Sequence, residues 1–352
     1  MKDGVILYVR DVSQVADARR ATRRLTDSVA FPDDVAGKVA IIVTELATNM
    51  IKHTTHGGEI ILKALEIDGT SGIEVVAVDR GPGIGNVAEA MRDGFSTAGG
   101  SGTGLGAISR MSDVFDIHSL PRLGTVILSR VWLRPLRNHD LWLNRGADAI
   151  CLPKPGEEVA GDGWSIREAP PYLELMVVDG LGHGPLAAEA AIAAMHVFRT
   201  ASQRSPAKII QEAHLALRST RGAAMATARV DCVRREVLFS GVGNITAAIM
   251  ATSDIRRMVS SDGVVGDNVY RIDERSYPLG GGSLVVMHSD GITSHWSVAD
   301  YPGLLLKHPG VIGGVLLRDF ARGIDDATAL VARPPKLGSY EKEGEGKPAW
   351  LS

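Results

Sequence analysis

Two sets of polar residues in this chain stand at spacings that could do chemistry. The first begins with Glu45-x-x-x-Asn49-x-x-x-His53. A four-residue step keeps side chains on one helical face, so the carboxylate and the amide would project side by side. Such a pair can polarise a hydroxyl or a water, and it can hold a magnesium ion through oxygen ligands. A solvated polar face carries the same pattern, so the motif needs company, and two segments supply it. Asp79 opens Asp79-Arg80-Gly81-Pro82-Gly83-Ile84, directly after an apolar run. A carboxylate at a strand end can accept a hydrogen bond from an exocyclic amine such as adenine N6, and glycines let the backbone approach a flat ring. Residues 99–106, GGSGTGLG, are a glycine-rich stretch opening onto an apolar run. Backbone N–H groups in that setting can cradle phosphates. It is not a P-loop, because no Lys-Ser/Thr pair follows, and the strand that a dinucleotide fingerprint requires before it is missing.

The second set consists of carboxylates in the latter half: Asp162 in AGDGW, Asp179 in VVDGLGHG, Asp290 in HSDGI, and Asp325-Asp326 in GIDDAT. One Asp-Gly alone reads as a turn. Gathered in a chain with only two distant cysteines, Cys151 and Cys232, these carboxylates favour hard cations such as magnesium or manganese. Two such ions about 3.5–4 Å apart can activate a bridging water and polarise a phosphoryl group.

Elements must hold these residues in place. Residues 4–9 read as a strand, and residues 11–30 as an amphipathic helix with Val15, Ala18, Ala21, Leu25 and Val29 at helical spacing. Pro32 breaks the pattern. A second helix over 34–53 follows, with Asp33 or Asp34 as its N-cap. EIILKALEI and GIEVVAVD form a hairpin about Asp68-Gly69, a short helix covers 105–112, and VFDIHSL with GTVILSRVWL form another hairpin. These elements make an α+β sandwich. The second half reads as many short strands, including YLELMVVDG (172–180) and a last strand TALVAR (328–333), with helices over 184–203 and 205–219. That mixture suggests a layered αββα architecture. The expected division is a first domain over 1–137, a linker over 138–146, a second domain over 147–333, and a flexible Pro/Gly/Lys/Glu-rich tail over 334–352.

Composition excludes several classes. Net charge is −3 with no basic stripe, and aromatics are 5%, so nucleic acid is a poor partner. No long apolar run or signal peptide is visible, and two unpaired cysteines suit a reducing compartment. The expectation is a cytoplasmic protein without a membrane segment.

ELATNMIKH, VDRGPGI and GGSGTGLG, in that order and spacing, resemble the N, G1 and G2 boxes of the Bergerat-fold (GHKL) ATPases. Gly124-Thr125 resembles that family's last nucleotide-site segment. Within the family the chain is most similar to the switch-protein serine kinases of the SpoIIAB, RsbW and RsbT group. The resemblance implies that Glu45 is a general base, Asn49 a magnesium ligand and Asp79 the adenine-recognition residue. Gly81 and Gly83 would line the base pocket, and Gly102, Thr103, Gly104 and Gly106 would hold the phosphates, with Thr125 beside the nucleotide. His53 reads as structural.

The aspartate series resembles the SpoIIE branch of the PPM phosphatases, and SGVGNI (240–245) is similar to the RsbX phosphatase. By that resemblance Asp162 and Asp179 are metal ligands, with Asp179 bridging two manganese or magnesium ions. The Gly180 carbonyl completes one site. Asp290 and one of Asp325 or Asp326, preferably Asp325, bind the second ion. Two roles stand open for His183: protonating the leaving serine or threonine oxygen, or ordering the loop. The chain departs from the family in lacking a second aspartate soon after Asp162.

The two resemblances together imply an ATP-dependent kinase and a metal-dependent phosphatase acting on serine or threonine of one STAS-domain protein, an anti-sigma antagonist or stressosome scaffold. The alternative is a phosphatase whose ATP-binding domain serves only to regulate it or to grip a partner such as a sigma factor. A homodimer is left open.

Overall fold

The computed structural model describes residues 4–67, 69–92, 104–136, 146–202, 204–251 and 254–335. The first half supplies β1 (Val5–Val9), α1 (Val12–Ser28), α2 (Asp33–His53), β2 (Gly58–Ile67), β3 (Thr70–Asp79), a one-turn α3 (Val87–Ala90), α4 (Gly104–Met111), β4 (Val114–Leu120) and β5 (Gly124–Trp132). Its five strands form one antiparallel sheet in the order β1-β2-β3-β5-β4. Alternation along β3 sends Ile73, Val75 and Ala77 to one side, where they meet Val39, Ile42 and Leu46 of α2. Val76 and Val78 point to the other side.

The helix starts differ in chemistry. Asp11 caps α1 in a reciprocal capping box with Gln14. The aspartate cap expected for α2 is replaced by Pro32, which makes no side-chain cap bond. Asp33 and Asp34 lie in the first turn instead, where negative charge faces the positive end of the helix dipole.

The second half supplies β6 (Ala147–Leu152), β7 (Asp162–Ala169), β8 (Tyr172–Gly180), α5 (Pro185–Thr200), α6 (Pro206–Ala216), β9 (Ala223–Asp231), β10 (Glu236–Val242), β11 (Thr246–Met250), β12 (Ile255–Met258), β13 (Arg275–Pro278), β14 (Leu284–His288), α7 (Pro309–Phe320) and β15 (Ala327–Ala332). Two five-stranded sheets result, β13-β10-β9-β8-β7 and β12-β11-β14-β15-β6. Leu175, Val177 and Phe239 of one meet Val285, Met287 and Leu330 of the other between the sheets. Met176 and Val178 on the opposite face of β8 pack against Ala190 and Ala194 of α5 and Ile210 of α6. The outcome is the αββα sandwich expected from the sequence, joined to the α/β sandwich of the first half.

Helix α7 was not anticipated, and it makes the join. Its sequence, PGVIGGVLLRDF, has no polar face, and every residue from Pro309 to Arg318 is buried. One side packs on β6, β14 and β15 through Ile150, Val286 and Ala329; the other packs on Val76, Val126 and Leu128 of the first sheet. Glycine makes this close approach feasible. A Cβ on Gly310 would overlap Leu128 and the Asp148 carboxylate, and one on Gly314 would come within 2.7 Å of Val126 Cγ1. The layers therefore run helices, sheet, sheet, α7, sheet, helices, and one of the hydrophobic clusters spans both halves through α7.

A buried charge network pins the same interface. Lys63 Nζ lies 2.7 Å from Glu74 Oε1 and 2.7 Å from Asp148 Oδ1. Arg130 reaches Glu74 Oε2 at 2.6 Å and Asp148 Oδ2 at 2.7 Å. Burial alone would raise the Asp148 carboxyl, but Lys63 and Arg130 overcome it and hold it far below the usual range. Burial, and then the charge of Asp148, push Glu74 upward. Of the two carboxylates, Asp148 is thus the more firmly ionised.

Residues 138–145 of the expected linker and 336–352 of the expected tail lie outside the described residues. Among the described residues no helix is long and apolar enough to cross a membrane.

Candidate functional site

The first set of polar residues gathers where α2 passes under the start of α4. A Cβ added to Gly104, the first residue of α4, would stand 3.5 Å from both Glu45 Oε2 and Asn49 Nδ2. The start of α4 therefore lies in van der Waals reach of both groups. Asp79 ends β3 directly opposite Thr125 of β5. Its Oδ1 accepts a 2.8 Å hydrogen bond from the Gly81 N–H. Burial raises its carboxyl; the Gly81 N–H and the positive charge of Arg318 on α7 work against that rise.

The loop after Asp79 is held by its neighbours. Ser119 Oγ accepts from Ile84 N at 2.8 Å and lies 2.9 Å from Thr125 Oγ1. Arg122 N donates to the Pro82 carbonyl at 2.7 Å. Gly83 has φ +72°, and a Cβ there would overlap the Leu120 carbonyl oxygen. Glu45, Asn49 and Gly104 thus lie together in one cluster, and Asp79, Gly81, Gly83 and Thr125 lie together in another. Gly106 is buried inside α4. Gly102 and Thr103 lie outside the described residues.

In the second half, antiparallel pairing puts Asp162 of β7 directly opposite Asp179 of β8. Side chains so placed share a face a few ångströms apart. Asp162 is buried, and neither of its carboxylate oxygens has a hydrogen-bond partner. Burial, then Asp326 and Asp290, push its carboxyl up to about 7. The Ser289 and Thr328 hydroxyls lie near and temper that rise, but neither is at hydrogen-bonding geometry to it. Burial pushes Asp179 up to about 9, reinforced by Asp162, Asp290, Asp325 and Asp326. Asp290 is raised by burial and by Asp325, and its Oδ2 accepts from Asn244 Nδ2 at 2.7 Å.

The two neighbouring aspartates divide their work. Asp326 turns to the backbone, accepting from Lys154 N at 2.7 Å and Gly161 N at 2.9 Å. Asp325 instead lines a cavity of about 570 Å³ together with Asp179, Asp290, His183, Asn244 and Lys154. Gly180 ends β8, where its N–H donates to the Gly161 carbonyl at 3.0 Å. His183 Nδ1 lies 2.6 Å from Glu157 Oε1.

Among the described residues no three His, Cys, Asp or Glu side chains stand close enough together to hold one ion as they are. The donor set still fits hard cations. An unpartnered buried carboxylate beside three more, all shifted upward or sharing one cavity, is a concentration of negative charge that divalent ions would relieve. Sequence reasoning did not single out Asn244, Glu157 or Lys154. Asn244 sits within SGVGNI, and Lys154 stands between Pro153 and Pro155, which restrict its backbone; either context could have drawn attention.

Comparison with known proteins divides the chain in the same way. A model described as the histidine kinase-like ATPase domain matches residues 9–130, and one described as stage II sporulation protein E (SpoIIE) matches residues 170–301. The serine/threonine-protein kinase RsbT of Bacillus subtilis (strain 168) is 31% identical over 134 residues, 38% of this chain and 100% of the relative. The phosphoserine phosphatase RsbX of the same organism is 23% identical over 142 residues, 40% of this chain and 71% of the relative. A solved structure described as "The bacterial stressosome: a modular system that has been adapted to control secondary messenger signaling" is 29% identical with a TM-score of 0.48, covering 53% of this chain and 98% of that one. With RsbT matched along its whole length, the chain belongs in its first half to the histidine kinase-like ATPase family, as an RsbT-like member, and it carries behind that a phosphatase domain of the SpoIIE family.

Proposed function

We propose that the chain both phosphorylates and dephosphorylates serine or threonine of a STAS-domain switch protein. What supports this above all is that one chain holds, on either side of α7, a site similar to that of a switch kinase and a site similar to that of a phosphoserine phosphatase. In the first site ATP with magnesium would lie between Asp79 and α4. Asp79, Gly81, Gly83 and Thr125 would receive the base; Gly102, Thr103, Gly104 and Gly106 would meet the phosphates. Asn49 would hold the magnesium, and Glu45 would take the proton of the acceptor hydroxyl.

In the second site Asp162, Asp179, the Gly180 carbonyl, Asp290 and Asp325 would hold two manganese or magnesium ions, which supply an activated water and polarise the phosphoryl group. Asn244 fixes the Asp290 carboxylate through its 2.7 Å hydrogen bond. Asp326 holds the Lys154 and Gly161 backbone, so the loop entering β7 is fixed before substrate arrives. The contact with Glu157 orients the His183 ring by its Nδ1 and leaves Nε2 for the leaving oxygen.

Purified chain with ATP and magnesium, offered STAS proteins, should add 80 Da to one of them by intact mass (about one phosphoryl group). With manganese it should remove the same group. If no STAS protein is labelled and none is released from its phosphate, the reading fails.

A second reading keeps the phosphatase and makes the nucleotide domain a regulatory or partner-binding module. The observation that favours it is the join at α7. The Arg80 guanidinium, beside Asp79, donates to the carbonyl of Arg318. The chain just after α7 bonds through Arg322 N to Gly291, next to Asp290. Glu45→Ala separates the two readings, since it would abolish phosphotransfer under the first and spare partner binding under the second.

A further inference from the structure

The geometry points to Arg221 as the residue that receives the phosphoryl group of a phosphoserine or phosphothreonine side chain at the second site. This rests on the reading of that site as a metal-dependent phosphatase. Strand pairing brings Arg221 there. Gly180, the last residue of β8, pairs with Ala223, the first of β9. One step further along, Leu181 N donates to the Gly222 carbonyl at 3.0 Å. The next step sets Arg221 beside Gly182, and a Cβ built on Gly182 would stand 2.9 Å from Arg221 Nη1. The guanidinium therefore lies against the backbone of the loop between Asp179 and His183. Asp179, Gly182 and His183 all line the cavity of about 570 Å³.

Charge gives this guanidinium a task. Asp179, Asp262, Asp290 and Asp325 line the cavity, and the basic residues on its wall are Lys154 and His183. His183 is held by Glu157 through Nδ1. Arg221 is exposed, and among the described residues its guanidinium has neither a hydrogen bond nor an ion pair. Its N–H donors are open to an arriving anion. A phosphomonoester is largely a dianion at neutral pH and presents three strong acceptor oxygens. Two divalent ions only balance the charge of Asp162, Asp179, Asp290 and Asp325, so a dianionic substrate gains from a further cation. A planar guanidinium can donate to two phosphoryl oxygens at once, which an ammonium such as that of Lys154 does only as a point charge. Arg221 would hold the phosphoryl group on the side of the loop that carries His183, the residue facing the leaving oxygen.

Hydrolysis of p-nitrophenyl phosphate by the full chain in manganese, with inorganic phosphate as inhibitor, tests this. Arg221→Gln should raise KM and the phosphate inhibition constant together, each roughly tenfold, with kcat within about threefold of wild type. The lost hydrogen bonds to a charged group are ones that bound substrate and transition state would share. Arg221→Lys should raise both constants about threefold, since it keeps the charge and loses the fork. Manganese affinity by calorimetry and the melting temperature should match the wild type, because the Arg221 side chain is exposed and bonds to no carboxylate among the described residues. Arg221→Gln with both constants within about twofold of wild type overturns the inference. So does a fall in kcat or manganese affinity with the phosphate constant unmoved, which would mark a role in ordering the metal loop alone. If Arg221→Gln does not fold, Arg221→Lys decides, and a phosphate constant equal to that of the wild type overturns the inference. A wild-type chain that hydrolyses no p-nitrophenyl phosphate in manganese overturns instead the reading of the second site as a phosphatase.

Discussion

Replacing Asp162 with asparagine should change stability in opposite directions with and without divalent ions. The Asp162 carboxyl is pushed from 3.8 up to about 7, chiefly by burial, and it is unpartnered. A shift of roughly 3 units at about 1.4 kcal/mol each puts the cost of its charge near 4 kcal/mol as a ceiling. Asparagine removes that charge but leaves a buried amide that costs about 1–3 kcal/mol itself. The net gain expected for Asp162→Asn in chelator at pH 7.5 is therefore about 1–3 kcal/mol.

The pH dependence has a definite sign. With a folded pKa above the unfolded one, the folded chain holds the proton more tightly, and stability falls as pH rises between the two values. For Asp162 the fall runs from about 4 to about 7, and Asp179 extends it to about 9. Urea unfolding in chelator should show the wild type losing about 2 kcal/mol more than Asp162→Asn between pH 5.5 and 7.5. Manganese should reverse the order, because the wild type gains binding energy that the variant lacks. A variant that is less stable in chelator, with the same pH slope as the wild type, would refute the reasoning.

Three further outcomes follow from the geometry. Gly83→Ala forces a Cβ into the Leu120 carbonyl at φ +72°, so ADP binding should weaken at least tenfold while phosphatase turnover changes little; calorimetry and a phosphate-ester assay check both. Lys63→Met leaves Glu74 and Asp148 short of a buried cation, so stability should drop by about 3–5 kcal/mol in urea. That loss should appear as one cooperative transition, because the two halves share a core through α7. Asp325→Asn should abolish metal-dependent phosphatase turnover. Asp326→Asn should instead lower the melting temperature by several degrees with activity partly kept, since Asp326 holds backbone N–H groups.

Much of the fold was legible because most elements present one apolar face. Val15, Ala18, Ala21 and Leu25 announce α1 by their period, and the continuous apolar run of β3 announces a strand packed on both sides. Helix α7 was illegible for the opposite reason. It is buried all round, so its sequence has no polar period, and its glycines read as a loop until the sheet they approach is known. The α2 cap was misplaced because Asp33 and Asp34 favour a helix start equally well as cap or as first-turn charge. For the sites, short motifs located the aspartates and the glycine boxes. They did not show that Asp326 turns to the backbone while Asp325 faces the cavity, because neighbouring residues of one type differ only in where the chain points them. The Lys63, Glu74, Arg130 and Asp148 network was equally hidden, since its members come from four strands.

The most direct test of opposed activities in one chain is intact-mass analysis of a single STAS protein, incubated with wild type, Glu45→Ala and Asp179→Asn in both directions. The account predicts that Glu45→Ala loses only the gain of phosphate in ATP and magnesium, and that Asp179→Asn loses only its removal in manganese. A wild type that works in one direction alone, or variants that each lose both, would contradict it.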